Sequence, residues 1–340
     1  MPGPPPPPAE EQARRWSEVL ANLAAAIPDG TPSVVVDGRG YTGMVADRLA
    51  AALRAAGRPC ARLSPDDGRA AGHEIALADG PGWRGRPPAG RWDVVIWLRT
   101  PPAGATDRHQ DADIVVDLHD PGWPVIRHLT ARLARHGRWY ITESRAFFAT
   151  RAHTWDTKFG DDLPAYAAAV SEAGIATGGV VVDVGCGTGR ALPALRAATG
   201  PGGTVVGVDL TPQMLAVARP RAEAAGATLL LGDAHHLPIA GGAADAVFAA
   251  GLITHLADPR VGLAELARIT RPGGRLVLFH PSGRIALAAR HGHAPRPDDP
   301  LAEGPLRAAT GRTGWRLRVY DDPPHRFFAV ADRQEPGVDT

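Results

Sequence analysis

Val181-Val182-Asp183-Val184-Gly185-Cys186-Gly187-Thr188-Gly189-Arg190 is the stretch on which the reading of this chain turns. A short β-branched run, long enough for one buried strand, passes directly into three glycines at alternate positions, and a helix-forming stretch follows. Without Cβ atoms such a turn takes positive φ and lets a ligand lie against the backbone, while the amides at the start of the following helix face that ligand. Glycines alone are weak evidence. The strand before them and the helix after them give them meaning, and the spelling D-x-G-x-G-x-G departs from the dinucleotide fingerprint G-x-G-x-x-G.

Working outward, the pattern predicts strands at 180–184, 204–208, 228–231, 246–249 and 275–280, with helices at 191–198, 214–225 and 259–270. Helical signals over 146–170 precede them. This alternation is that of a doubly wound α/β sheet. Carboxylates recur at the strand ends: Asp209 follows Val208, twenty residues after Gly189, and Asp233 stands in Leu231-Gly232-Asp233-Ala234. Asp245 introduces the fourth strand, and Arg271-Pro272-Gly273-Gly274-Arg275 forms the turn before the fifth.

At these residues the sequence resembles the class I S-adenosylmethionine-dependent methyltransferases, of the broad small-molecule type, over roughly residues 145–332. The resemblance implies a Rossmann-like seven-stranded domain at 143–335 with S-adenosyl-L-methionine as cofactor. It implies that Asp183 and the loop Gly185, Cys186, Gly187 and Gly189 surround the methionine part. Asp209 would meet the ribose and Asp233 with Ala234 the adenine, with Leu210 and Met214 also in the cofactor-binding set. The alternative is an ordinary α/β sheet whose strand-end carboxylates cap helices.

Methyl transfer needs chiefly an in-line nucleophile held in a dry pocket, because the cofactor carries its own leaving group. Where the acceptor is a hydroxyl or a protonated amine a base is useful, and Gly251-Leu252-Ile253-Thr254-His255-Leu256 lies at the expected lip of the site. His255 is the first candidate, as base or as cofactor-lining residue, and His280 at the end of the fifth strand is the second. Upstream, the aromatics of 147–159 are read either as an apolar acceptor pocket or as helix core. Cys186 sits in the glycine loop, which disfavours cysteine-mediated methylation of a ring carbon.

The first part of the chain reads differently. A helix over 10–27 is followed by the strand Ser33-Val34-Val35-Val36-Asp37, a glycine loop, and an alanine-rich helix closed by Gly57. Short apolar runs stand at 60–63, 92–98 and 112–118, the last two expected as fully buried strands of a parallel sheet, with loops over 64–91. Gly38-Arg39-Gly40-Tyr41-Thr42-Gly43-Met44-Val45 has both boundary glycines of a P-loop, and with its flanks resembles the uridine kinase-like branch of P-loop kinases. Residues 10–142 are therefore read as a degenerate P-loop domain. Met44 and Val45 stand where lysine and a hydroxyl would hold phosphate and magnesium, and Lys158, the chain's one lysine, lies beyond the domain. An interaction module, possible homodimer contact included, is preferred to a kinase.

Bulk properties narrow the field. Lys and Arg number 37 against 36 Asp and Glu, so no basic field for nucleic acid exists overall. Two cysteines far apart do not form a disulfide framework, and no stretch is apolar for long enough to span a membrane, which together suggest a cytoplasmic protein. Residues 1–9 read as a disordered proline-rich tail, and the thirteen histidines lack metal-site spacing, so no metal is expected. Enrichment in Ala, Arg, Gly and Pro associates with specialised metabolism. The expected activity is methyl transfer to a small or medium-sized metabolite. Its rivals are a nucleotide-binding or kinase-like regulator with an appended cofactor-binding domain, and a cofactor-binding protein without methyl transfer.

Overall fold

A computed structural model describes residues 8–63, 74–100, 111–130, 132–134, 139–290 and 299–335, and the side chains of Lys158 and Phe159 lie outside what it describes. Residues 1–7 of the tail expected over 1–9 and the first part of the expected 64–91 loop fall outside the described residues, whereas Ala9 already belongs to the first helix. The chain divides into two compact units, Met1–Ala146 and Phe147–Thr340.

The first unit is a six-stranded sheet ordered β2-β3-β1-β4-β5-β6, built from β1 (Ser33–Gly38), β2 (Cys60–Arg62), β3 (Ile75–Asp79), β4 (Val94–Arg99), β5 (Ile114–Asp117) and β6 (Val125–Leu129). All pairs are parallel except β5 with β6. Alternate strand residues go to opposite faces, as the two-residue period of a strand requires. Val34, Val36, Ile96 and Ile114 join one core with Leu23 of α1 (Ala9–Ala26) and Leu49 of α2 (Thr42–Ala55), while Val35, Val95, Trp97 and Val115 join another. The expected loop region 64–91 instead holds β3 and a short helix, α3 (Pro81–Arg84). Ile75-Ala76-Leu77-Ala78-Asp79 has little β-branched character, so only its place between two strands identifies it. β6 likewise had no separate signal.

α2 begins at Thr42, so Val45 already bonds back to Tyr41 O at 2.9 Å, and its side chain is fully buried in the core. Gly38 is required for packing: a Cβ there would lie 2.4 Å from Leu98 O of the neighbouring β4.

The last helix of this unit, α4 (Trp139–Ala149), passes its Glu143 into the first core, beyond the boundary expected at 142. Glu143 and Arg15 are both almost wholly buried and pair directly. Glu143 also accepts from Asn22 Nδ2 at 2.9 Å and from the Ile126 amide at 2.7 Å, and Arg15 Nε donates to Pro124 O at 2.8 Å. α1, β6 and α4 are thus joined by one satisfied ion pair. Removing a single partner leaves a buried charge uncompensated, so Arg15→Met is expected to destabilise the first unit by about 3–5 kcal/mol in chemical denaturation. A loss below about 1 kcal/mol would contradict this role.

The second unit is a seven-stranded sheet ordered β12-β13-β11-β10-β7-β8-β9. Its strands are β7 (Val180–Val184), β8 (Thr204–Asp209), β9 (Thr228–Leu231), β10 (Ala244–Ala250), β11 (Thr270–His280), β12 (Trp315–Asp321) and β13 (Phe327–Arg333). β7 to β11 are parallel, and β13 runs antiparallel to both β11 and β12. The helical stretch expected over 146–170 is interrupted. Residues Ala152–Thr154 form a 3₁₀ turn, then come α5 (Trp155–Phe159) and α6 (Leu163–Ala173), separated by Gly160 at φ +69°. The central helices are α7 (Leu192–Thr199), α8 (Pro212–Ala225) and α9 (Pro259–Ile269), and α10 (Arg284–Arg290) and α11 (Glu303–Arg312) follow β11. Val182, Val247 and Leu278 pack on one face, Val181, Phe248 and Phe279 on the other. Among the described residues no helix is long and apolar enough to cross a membrane.

Candidate active site

Adjacent strands β7, β8 and β9 end side by side, which brings the three sequence-marked carboxylates to one edge of the sheet. Asp183 is the penultimate residue of β7, Asp209 the last of β8, and Asp233 follows β9 by two residues. The glycine loop begins where β7 stops. Gly185 and Cys186 donate their amides to Val208 O at 2.8 and 3.0 Å, so the loop folds across the end of β8.

Asp209 fixes that fold. Its Oδ2 accepts from the Gly187 amide at 2.9 Å and its Oδ1 from the Thr211 amide at 2.7 Å. Each carboxylate oxygen has a second lone pair, so capacity for two further donors remains. Burial raises the Asp209 carboxyl above its ordinary range, although these amides favour its charged form. Gly187, at φ +54°, has nothing within 4 Å of where its Cβ would be, so the backbone there borders open space. Gly185 and Gly189 face inward, a Cβ on them lying 3.0 Å from Leu252 and 2.9 Å from Leu192.

Asp183 is buried and its Oδ1 has no hydrogen-bond partner. Burial, with the Asp209 charge in addition, pushes its carboxyl up to about 8. Thr211 Oγ1 is a second buried polar atom without a partner. Cys186 enters the expected set through its backbone alone. Its thiol, pushed up by burial, lies beneath the loop against β8, and a Cβ on Gly207 would stand 3.1 Å from its Sγ. Met214 is buried in α8, and its amide bonds to Thr211 O at 3.1 Å; Leu210 is half-buried and Ala234 buried.

Asp233 Oδ1 lies 3.0 Å from both the backbone N and the Nδ1 of His235, a buried residue absent from the expected set. His255 ends a 3₁₀ turn, Ile253–His255, and its ring meets Phe148 edge-on at 5.1 Å between centroids. Phe148 in turn contacts Phe147 at 5.0 Å and Trp155 at 5.6 Å. These half-buried rings form one cluster around His255. His280 is placed beside Gly251, whose Cβ would lie 3.7 Å from its ring, and its Nδ1 is engaged with Ser282 at 3.0 Å. Burial lowers the His280 pKa, so its ring is neutral at pH 7.

A polar clamp not legible in the sequence fastens α5 to the glycine loop. Thr188 Oγ1 donates to Asp156 Oδ1 at 2.7 Å, and Arg221 Nη1 of α8 donates to Asp156 Oδ2 at 2.7 Å and to Thr188 O at 3.0 Å. Arg190, almost wholly buried, pairs with Asp162 and donates to Gly160 O at 2.7 Å.

The sequence profile described as a methyltransferase domain matches residues 182–278. The matched stretch lies within the second unit and runs from β7 to β11. Demethylmenaquinone methyltransferase of Thermus thermophilus is 41% identical over 116 residues, covering 32% of this chain and 52% of that protein. Methyltransferase GfsG of Streptomyces halstedii is 38% identical over 108 residues, covering 31% of this chain and 38% of that protein. The chain thus spans about half the length of the first and less of the second. A SAM-dependent methyltransferase from Aquifex aeolicus superposes with a TM-score of 0.47 at 22% identity, covering 54% of this chain and 98% of that one.

S-adenosylmethionine is the cofactor of such a domain, and the residues present fit it. A partnerless buried carboxyl oxygen on Asp183 suits a cationic group, and the open backbone at Gly187 suits a ligand laid against the loop. The raised Asp183 carboxyl has a consequence for stability. Between the ordinary carboxylate value of about 4 and its own of about 8 it holds more proton in the folded state than in the unfolded chain. Its contribution is therefore complete below about pH 4 and lost as pH rises to about 8. Asp183→Asn is expected to flatten the decline in denaturation midpoint across that window; a slope equal to wild type would contradict the assignment.

Proposed function

We propose that this protein transfers a methyl group from S-adenosylmethionine to a small or medium-sized metabolite. The observation that carries this reading is the loop-carboxylate assembly: Gly187 tied to Asp209 at 2.9 Å beside the partnerless Asp183 oxygen. When bound, S-adenosylmethionine supplies an electrophilic methyl on a sulfonium leaving group. The chain's own contribution is positioning and exclusion of water. Asp209, with Leu210 and Met214 nearby, would hold the ribose and Asp233 with Ala234 the adenine, His235 keeping the Asp233 carboxylate in place. A metabolite acceptor is favoured by the name of the demethylmenaquinone methyltransferase relative and by the aromatic cluster of Phe147, Phe148 and Trp155, which offers an apolar wall next to His255.

His255 is the first candidate for a base, since its ring stands among those aromatics, and His280, neutral at pH 7, is the second. The first unit is read as a degenerate P-loop domain without kinase activity, a reading supported by the burial of Val45 and the start of α2 at Thr42.

The test is product analysis with candidate quinol and phenol acceptors. S-adenosylhomocysteine is expected to accumulate in step with methylated acceptor, and His255→Asn is expected to lower kcat about 100-fold or more with cofactor affinity unchanged. ATP should give no binding heat. Cofactor binding without any S-adenosylhomocysteine would replace methyl transfer with another use of the ligand, and tight ATP binding would move the search for activity to Gly38–Val45.

A further inference from the structure

The sheet of the second unit has a second chemically distinctive place, at the end opposite the glycine loop. Arg275 pairs in register with Ala246, and Ala246 with Val181, so Arg275 lies at the level where the parallel strands begin, whereas the loop follows their ends. Across β11, β13 and β12 the cross-strand neighbours are Arg275, Asp332 and Arg316. Asp332 is the carboxylate at the centre of this row. Its Oδ1 lies 3.6 Å from Arg275 Nε and its Oδ2 accepts from Arg318 Nε at 2.7 Å. The side chain of Arg316, exposed and directly across from Asp332, makes no hydrogen bond or ion pair with any described residue.

β12 carries a bulge that serves this arrangement. Leu317 pairs with Ala331 and Val319 with Val330, which leaves Arg318 unpaired between them. A bulge re-aims a side chain, and here the guanidinium of Arg318 is brought to the carboxylate that also faces Arg316. A hollow of about 450 Å³ is lined by Gly273, Arg275, Arg316, Arg318, Asp332, Arg333, Gln334 and Glu335. Four guanidiniums face two carboxylates there. Arg275 and Arg333 are partly committed to backbone carbonyls, Arg275 to Ala173 O at 2.6 Å and Arg333 to Ala267 O at 2.9 Å. The donors of Arg316 and the outer donors of Arg318 are left for a ligand, in a geometry that guanidinium forks share with phosphate and carboxylate groups.

We propose that this hollow binds a small multivalent oxyanion, of the phosphate or carboxylate class, held by Arg316 and Arg318 in the field of Arg275. The volume suits a small molecule. The site is independent of the methyltransferase reading, since it lies at the other end of the strands. The rival explanation is edge protection: β12 is the outermost strand, and charged side chains and bulges both discourage an exposed edge from pairing with another chain.

The experiment is titration of the whole protein with pyrophosphate and, separately, citrate at constant ionic strength, followed by calorimetry and by thermal denaturation, on wild type, Arg316→Ser and Arg316→Ser/Arg318→Ser. Sodium chloride of matched ionic strength is the control for screening. Saturable binding with Kd below about 1 mM for either anion, weakened tenfold or more in Arg316→Ser and lost in the double variant, supports the site. Preference for pyrophosphate or for citrate then assigns the phosphate or the carboxylate source. Absence of saturable binding to wild type, or binding equally strong in the double variant, overturns it. S-adenosylhomocysteine affinity, read in parallel, should be the same in all three proteins, which shows that the variants are folded. If the double variant instead self-associates in light scattering while wild type ignores both anions, the arginines guard the edge and the proposal fails.

Discussion

The Asp209 carboxylate, accepting the amides of Gly187 and Thr211, is the constraint on which the methyltransferase unit depends. It joins the end of β8 and the start of α8, which follow one another in sequence, to the loop that follows β7. A hydrogen bond to a charged acceptor is roughly twice as strong as a neutral one. Losing it would leave the Gly187 amide without its acceptor, while the Gly185 and Cys186 amides stay on Val208 O. The loop itself then determines where a ligand can lie, because Gly185 and Gly189 are pressed against leucines while Gly187 borders open space.

Around that point the structure adds restraint from the other side. Asp156 receives both Thr188 and Arg221, and Arg190 holds Asp162 and Gly160, so α5 and the start of α6 are tied to the loop and to α8 by charged hydrogen bonds. Buried networks of this kind are strong only when their members are satisfied together. The same logic holds in the first unit, where Arg15 and Glu143 join α1, α4 and β6. Each unit is therefore organised by one internal polar assembly set within apolar layers.

Much of the second unit was legible because its information is local. Val180 to Val184 is a β-branched run ending in glycines, and Asp209 and Asp233 sit at strand ends, so periodicity and spacing lead to them directly. The clamp was not legible. Thr188 belongs to the motif, yet its partner Asp156 stands 32 residues earlier in a stretch whose helical signal gave no hint of a break at Gly160. His235 carries no motif of its own, and its contacts with Asp233 and the Asp258 amide are what distinguish it. In the first unit β3 is alanine-rich and flanked by Gly, Pro, Asp and Arg, so pairing with β1 and β2 decides its state. Arg316 and Arg318 look like ordinary surface charges until the bulge and Asp332 bring them together.

The most direct measurement is calorimetric titration of the purified protein with S-adenosylmethionine, set beside Asp209→Ala and Asp209→Asn. Saturable binding by wild type, lost in the alanine variant and weakened in the asparagine variant whose oxygen still accepts one amide, is the result this account predicts. Equal affinity in all three proteins, or no binding by wild type, would contradict it.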